Sequence, residues 1–483
     1  MVRRPCRRAG RPLTKRAQNR KKSALKGVGV EVSATTKKVW VIGAGLAGCE
    51  VALQLARREI PVRLFEMKPS LRTPAQTSDD YAELVCSNSF RAADLENAVG
   101  VIKEEMRRAG GALIRFADAH AVPAGGALAV DRERFSQAVT EAVRTHPFIE
   151  VVEGEMTRLP DPGEAEDVVV ATGPLTSAPL AEEIARVTGQ PTSLYFYDSI
   201  APIVAADSID LEVAFRASRY GKGDGDDYLN CPLSESEYAR FLEGVLSAEK
   251  VVPRAFEAPK YFEGCLPLEV VAERGPDTLR FGCMKPVGLV DRRTGQAPYA
   301  VVQLRAENRD RTAYNLVGFQ TRMKWGEQAR MFRLIPGLQN AEFLRFGSVH
   351  RNTYLDSPVL LDAEFRLKRR PDIVFAGQIT GVEGYVESMA SGFLVGRMIA
   401  ARCRGVRLPR PPKTTTLGAL LTHVLGEDRT PGAVKQGHVP SNIHWGHCPP
   451  LGRRAPKRDR RRLMAERALE DLGRWLDEVR LLG

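Results

Sequence analysis

Apolar residues in this chain follow three patterns in turn. Val39-Trp40-Val41-Ile42 is a continuous apolar run, as in a strand buried on both faces. Glycines follow at 43, 45 and 48, then an amphipathic run to Arg58 and a second strand-like stretch, Val62-Arg63-Leu64-Phe65-Glu66. This order predicts strand, glycine turn, helix and strand. Residues 69–89 read as a polar loop. The spacing predicts a helix over 92–109 with Leu95, Val99, Ile102 and Met106 on one face. A further helix is predicted over 131–144, capped by Asp131, with Phe135, Ala138, Val139 and Val143 inward. Residues 168–173 read as a buried strand entering a glycine turn, placed beside the first unit.

From about Tyr195 to Pro358 the pattern shifts to short alternating stretches. Strands are predicted near 300–304 and 315–320, and helices at 234–249 and 326–334. A third pattern begins at Asp372, where a strand to Gly377, a glycine turn to Gly384 and a helix through Ala401 repeat the opening design. A charged helix over 459–480, with Leu463, Leu469, Leu472 and Trp475, ends the chain. The fold class expected is α/β: a Rossmann-like FAD-binding domain carrying an inserted α+β domain. The expected division is a basic disordered tail at 1–36 and a discontinuous FAD-binding domain at 37–200 and 357–450. The inserted domain takes 201–356 and a basic C-terminal helix takes 451–483.

Charge alters this picture at one end only. The formal net charge is +12, but residues 1–38 hold 13 Lys and Arg against Glu31 alone, so the remainder is formally neutral. A nucleic-acid surface on the folded body is therefore a local patch, with 402–413 and 453–462 as candidates. The first 38 residues lack an apolar h-region, which excludes a secretory signal; they are Arg-rich like a transit peptide but poor in serine. They read as a disordered tail or an over-long start. No apolar run approaches the roughly 18 residues of a membrane span. The eight cysteines (6, 49, 86, 231, 265, 283, 403, 448) form no CxxC pair, which suits free thiols in a reducing compartment.

The glycine turn carries the first chemical inference. Residues 43–48 read Gly43-Ala44-Gly45-Leu46-Ala47-Gly48. Gly43 permits the tight turn, Gly45 lets a pyrophosphate approach the helix N-terminus, and Gly48 lets helix and strand pack. Glu66 closes the second strand 21 residues after Gly45, where an acid meets ribose hydroxyls. The later strand-turn units, with Gly377, Gly381 and Gly384, favour FAD over NAD, because an extended FAD meets distant segments of chain. A helix starting near Gly384 puts its positive end toward the flavin. No second GxGxxG is present, so a nicotinamide cofactor is expected only as a transient reductant.

Five blocks in order then resemble one family, the folate- and FAD-dependent tRNA (uracil-5-)-methyltransferases, TrmFO. They are 43–48, Ala82-Glu83-Leu84-Val85-Cys86-Ser87-Asn88-Ser89, Tyr261-Phe262-Glu263-Gly264-Cys265-Leu266-Pro267, the stretch 316–328 around Arg322-Met323-Lys324-Trp325, and His350-Arg351-Asn352-Thr353-Tyr354. The likeness runs from about Val39 to Leu451; the basic tail departs from it, and Phe90 stands where a leucine is expected. It implies a bacterial cytoplasmic enzyme making 5-methyluridine at tRNA position 54. The carbon donor is methylenetetrahydrofolate, FAD is the intermediary, and NADPH or NADH is the reductant. It implies that Cys86 and Cys265 are the reactive thiols, and that His350, beside Arg351, stacks on the folate pterin.

Composition alone favours packed cysteines, since free Cys is usually buried, but loop placement suits reactivity. Which thiol attacks uracil stays open. Arg322 and Lys324 are candidates for holding phosphate or the folate glutamate, against the alternative of a solvated face. His444, His447 and Cys448 suggest zinc, yet a structural site needs four ligands and only three lie near in sequence, so no metal is expected. Two other functions remain in view. One is wobble-uridine modification of the MnmG (GidA) type with a GTPase partner; the other is a non-enzymatic, FAD-stabilised RNA-binding protein. The Cys86 and Cys265 blocks favour the first reading. No oligomeric state follows from the sequence.

Overall fold

Val39–Ile42 is the fourth strand of a six-stranded sheet in the order Arg366–Leu367, Arg370–Phe375, Val168–Val170, Val39–Ile42, Val62–Glu66, Ile149–Glu153. The computed structural model describes residues 38–73, 75–189, 194–251, 266–291, 294–428, 440–452 and 455–481, with only the backbone described at 194–199 and 349–351. The expected tail at 1–36 lies outside these. Every pairing in the sheet is parallel except the edge pair Arg366–Leu367 with Arg370–Phe375. Val168 pairs with both Trp40 and Ile373, so the late strand closes beside the early ones. The Val and Ile runs make these strands because both faces of the sheet are covered.

All eleven residues of the helix Leu46–Ala56 are buried, between the sheet and the helix Tyr385–Cys403. A Cβ on Gly392 would lie 2.5 Å from the Ala47 carbonyl oxygen, so a residue without a side chain sets how closely the two helices pack.

A second, antiparallel sheet runs Phe215–Arg216, Tyr228–Leu233, Ala300–Ala306, Ala313–Leu316, Ile203–Ala205, Phe343–Arg345. Its own core includes Phe241, Phe319 and Phe332. The helices Glu235–Ser247 and Trp325–Phe332 contribute to it, the first opened by a capping box on Ser234 and Glu237. The strand leading into this region, Leu194–Ser199, pairs with the strand leading out, Val349–Tyr354. This is the expected α+β insertion.

Two expectations need correction. The helix predicted from 92 begins at Ala98, because Ser89–Ala92 is a strand and the Asp94 carboxylate accepts from the Glu96 N–H at 2.7 Å, making a turn. Leu95 therefore lies outside the helix and is exposed. The strand expected over 315–320 stops at Leu316, with Gly318 in the left-handed region at φ +79°. The Asp131 cap is as predicted, its carboxylate accepting from the Arg134 N–H at 3.1 Å. Among the described residues no helix is long and apolar enough to cross a membrane.

Candidate cofactor cleft and active site

The first glycine turn opens onto a cleft of about 1070 Å³. Gly43 holds φ +99°, and a Cβ there would stand 2.8 Å from the Ala171 oxygen. Gly48 is more confined, since its Cβ would fall 1.8 Å from the Gly43 oxygen. Gly45 differs from both: a Cβ there meets nothing within 4 Å, and the space it would enter belongs to the cleft. That vacant volume at the N-terminus of a buried helix has the shape and polarity of a pyrophosphate seat. Glu66 accepts from the Ala44 N–H at 2.7 Å through one oxygen and from the Lys68 N–H at 3.1 Å through the other. It braces the turn while its carboxylate lines the cleft, with lone pairs left for ribose hydroxyls. The residues present thus fit a dinucleotide.

Of the cofactor residues expected from sequence, Gly43, Gly45, Leu46, Ala47, Glu66 and Gly377 line the cleft. Ala44, Gly48, Gly381 and Gly384 are not among its lining residues. A Cβ on Gly384 would crowd Glu387 Oε2 at 2.6 Å, so this glycine serves the turn before the helix. Tyr385 and Ser388, in the first turn of that helix, face the cleft.

Cys86 stands at the edge of this cleft, next to the lining residue Val85, on a loop held from three sides. Tyr385 Oη accepts from the Cys86 N–H at 2.6 Å and the Ser87 N–H at 3.2 Å. Burial pushes the Tyr385 phenol up, so it keeps its proton. Arg305, from the second sheet, donates to Ser87 Oγ and Asn88 Oδ1, each at 2.7 Å. Arg132 donates to the Leu84 oxygen and pairs with Glu307 at 2.7 Å. Asn88 is fully buried and donates to the Val130 and Ala306 oxygens, both at 2.9 Å. The guanidiniums of Arg132, Arg305 and Arg345 all interact electrostatically with Cys86. Such a surround suits an anionic ligand group at this position.

The chain matches the family model "Glucose inhibited division protein A" over residues 38–407. It is 58% identical to the methylenetetrahydrofolate--tRNA-(uracil-5-)-methyltransferase TrmFO of Geobacter sulfurreducens, over 92% of this chain and 100% of that one. The TrmFO of Myxococcus xanthus is 57% identical over 91% of this chain and 95% of its own length. The chain belongs to the TrmFO family.

A solved GidA structure from Aquifex aeolicus shares the fold, with TM-score 0.63 at 15% identity, covering 91% of this chain and 73% of that chain. The fold is thus the Rossmann-like flavoprotein fold common to GidA and TrmFO proteins.

The remaining TrmFO-like candidates are spread unevenly. Cys265 lies outside the described residues. His350 and Arg351 sit on the strand Val349–Tyr354, opposite Asp198 and Tyr197. The Thr353 N–H of that strand donates to the Pro174 oxygen at 2.9 Å, tying its backbone to a loop that lines the cleft. Arg322 and Lys324 do not line the cleft. The Arg322 Nε lies 3.4 Å from the buried Glu269 and the Lys324 Nζ 2.6 Å from Glu249, so carboxylates answer their charge. The basic patch at 402–413 is likewise met by acids: Arg402 by Asp167 at 2.5 Å, Arg407 by Glu364 at 3.0 Å, and Arg410 and Lys413 by Glu427, each at 2.9 Å.

Sequence reasoning missed Arg132, Arg305, Arg345 and Tyr385. One signal was present. Arg305 and Glu307 sit two apart in and just beyond a strand that is apolar apart from them and Gln303, which places two charges on one buried face.

Proposed function

We propose that this protein transfers the one-carbon unit of methylenetetrahydrofolate to C5 of uridine 54 in the T loop of tRNA, forming 5-methyluridine. The names of the relatives give the reaction class for those proteins, and the length of the match supports it here. The observation that supports the reading most is the loop of Cys86, whose residues 84–88 are held by Arg305, Arg132 and Tyr385 at the rim of a dinucleotide cradle.

Uracil C5 is a poor nucleophile. A thiolate adding to C6 forms an S–C6 bond and moves the C5=C6 pair toward C5 and O4. C5 then bonds the one-carbon electrophile. A base takes the C5 proton and the freed pair expels the amine that carried the carbon, leaving an exocyclic methylene on C5; a hydride equivalent added to that methylene restores C5=C6 and expels the thiolate. Cys86 and Cys265 fill the roles of nucleophile and proton carrier. Bound FAD, reduced by NADPH or NADH, supplies the electron pair that completes the methyl group. The cationic surround of Cys86 stabilises the enolate oxygen, and His350 with Arg351 receives the folate. Arg322 and Lys324 remain candidates for the folate glutamate or tRNA phosphate once their acid partners are displaced. We place the FAD-binding domain at 37–200 and 357–450 and the insertion at 201–356, a division favoured by their separate cores. The enzyme works in the cytoplasm.

The test is nucleoside analysis of tRNA incubated with the protein, methylenetetrahydrofolate and NADPH. 5-Methyluridine is expected, and none from a tRNA with cytidine at position 54. A modified wobble uridine would instead support the GidA-type reading. Binding of tRNA without turnover would support the non-enzymatic one.

A further inference from the structure

The histidine-rich segment near the C-terminus has no part in the reaction above. In sequence it offers His444, His447 and Cys448, too few for a zinc site. The fold rearranges that set. Cys448 is buried in the main core, where burial pushes its thiol up to about 12. His444 Nδ1 accepts from the Gly446 N–H at 3.0 Å. Two residues about 20 positions earlier take their place: His423, in the last turn of the helix Thr416–Val424, and Asp428, just beyond it.

One ligand atom each from His423, Asp428 and His447 lie within 4.8 Å of one another. His423 Nδ1 and Asp428 Oδ2 are 3.1 Å apart, and the rings of His423 and His447 have centroids 4.4 Å apart. His447 Nε2 is 3.4 Å from Ser441 Oγ, while its Nδ1 is buried with no hydrogen-bond partner among the described residues. A ring with one nitrogen held by an outer group and the other left bare is how a metal-ligating histidine is oriented.

We propose that His423, Asp428 and His447 bind one divalent transition-metal ion, with zinc the best match. Two imidazoles and a carboxylate are borderline ligands of the kind zinc takes, and three of them leave a fourth position for water. Bond lengths of about 2.0–2.2 Å in a tetrahedral site need ligand atoms roughly 3.4 Å apart. A gap of 4.8 Å must therefore close by about 1.4 Å, within reach of side-chain rotation. Asp428 is exposed, which gives the ion a route from solvent.

Three protein ligands fall one short of a closed structural zinc site, so the ion adds a brace between two segments and is not a condition of folding. The helix carrying His423 is gripped at its other end by Glu105, which accepts from the Thr416 and Leu417 N–H groups, each at 2.8 Å. His447 belongs to a segment fastened beneath the Tyr385 helix: Glu383 N–H donates to the Ser441 oxygen at 3.0 Å, and Ile443 N–H to Glu387 Oε1 at 2.8 Å. An ion here ties the end of one helix to the segment bracing the turn before Tyr385.

The test uses the full-length, untagged flavoprotein, stripped with a chelator and titrated with zinc chloride against a chromophoric competitor. One zinc per chain is expected, with a melting temperature that rises on addition. Cobalt(II) should give the d–d absorption of a tetrahedral N/O site. His447→Gln and Asp428→Asn should each weaken binding about 100-fold or more, while Cys403→Ser, which removes an exposed thiol, should leave it unchanged. Flavin absorbance reports folding of each variant, and the exposed Asp428 gives a substitution that the core tolerates. The proposal is overturned if the protein takes up no ion below millimolar zinc. It is also overturned if both ligand variants bind like the parent, or if Cys403→Ser abolishes binding.

Discussion

Asn88→Ala is the most informative single change in the loop that carries Cys86. The Asn88 side chain makes three hydrogen bonds in complete burial, to the Val130 oxygen, the Ala306 oxygen and the Arg305 guanidinium. Alanine leaves two carbonyls and one charged donor without that partner. Each carbonyl bond is worth about 1 kcal/mol and a bond to a charged group about 1.5–3 kcal/mol. The expected loss is therefore about 3–5 kcal/mol, a large part of the roughly 5–15 kcal/mol that holds a typical domain. Asn88→Asp is expected to do no better. It keeps an acceptor for Arg305 but sets a carboxylate oxygen against two carbonyls. Urea unfolding followed by flavin fluorescence and far-UV circular dichroism measures the loss. A double-mutant cycle with Arg305→Met should return a coupling of about 1–3 kcal/mol, as for partners in one network. Because the same network aims the loop, methylation by the folded variant should fall about 100-fold, the scale of a 1 Å misplacement. A loss below about 1 kcal/mol at unchanged m-value would refute this account of the loop.

The other predictions divide the site by function. Gly45→Val should fold yet purify colourless, because its side chain enters only the cleft, whereas Gly48→Val should fail to fold, because its Cβ would strike the Gly43 oxygen; flavin absorbance and circular dichroism separate the two, and a yellow, folded Gly45→Val would remove the cofactor assignment. Cys86→Ala and Cys265→Ala should each abolish 5-methyluridine formation in single turnover, with capture of 5-fluorouridine tRNA lost in the one that attacks C6, while Cys49→Ala, Cys231→Ala and Cys403→Ala stay active; near-normal methylation by both of the first pair would end the thiol mechanism. Serine at either position should not rescue, since its hydroxyl is rarely ionised. Deleting residues 1–36 should leave FAD bound and make tRNA affinity less steep in salt, as measured by filter binding over a salt series.

The unit from Val39 to Glu66 was legible because each of its instructions is local: a run, a turn, a period and an acid at fixed spacing. Its strand limits match the residues read from sequence. The surround of Cys86 was not legible, because Arg132, Arg305, Arg345 and Tyr385 come from separate elements and meet only in three dimensions. Leu95 misled because its spacing suits a helix, while the turn made by Asp94 delays the helix to Ala98. The charges of Arg322 and Lys324 looked available because nothing local opposes them on the loop they share. Glu269 and Glu249, more than 50 residues upstream, answer them. The same non-local logic applies to His447, which sequence spacing groups with His444 and Cys448 and which the fold sets beside His423 and Asp428.

The strand Arg370–Phe375 pairs with Val168–Val170, although about 200 residues separate them in the chain. On a ribosome adding about 5–20 residues per second, that interval lasts roughly 10–40 s. Throughout it, the edge of Val168–Val170 that this strand later covers is bare: three valines in a row, the kind of exposed edge that recruits foreign strands. The helix Leu46–Ala56 waits longer still, about 330 residues, for its partner Tyr385–Cys403. The interleaved architecture that brings Gly377 and Tyr385 to the cofactor cleft thus sets a hazard in time. Rare codons placed between residues 171 and 370 should lower the yield of folded protein more than the same codons placed after 403, and overproduced chaperone should recover the difference.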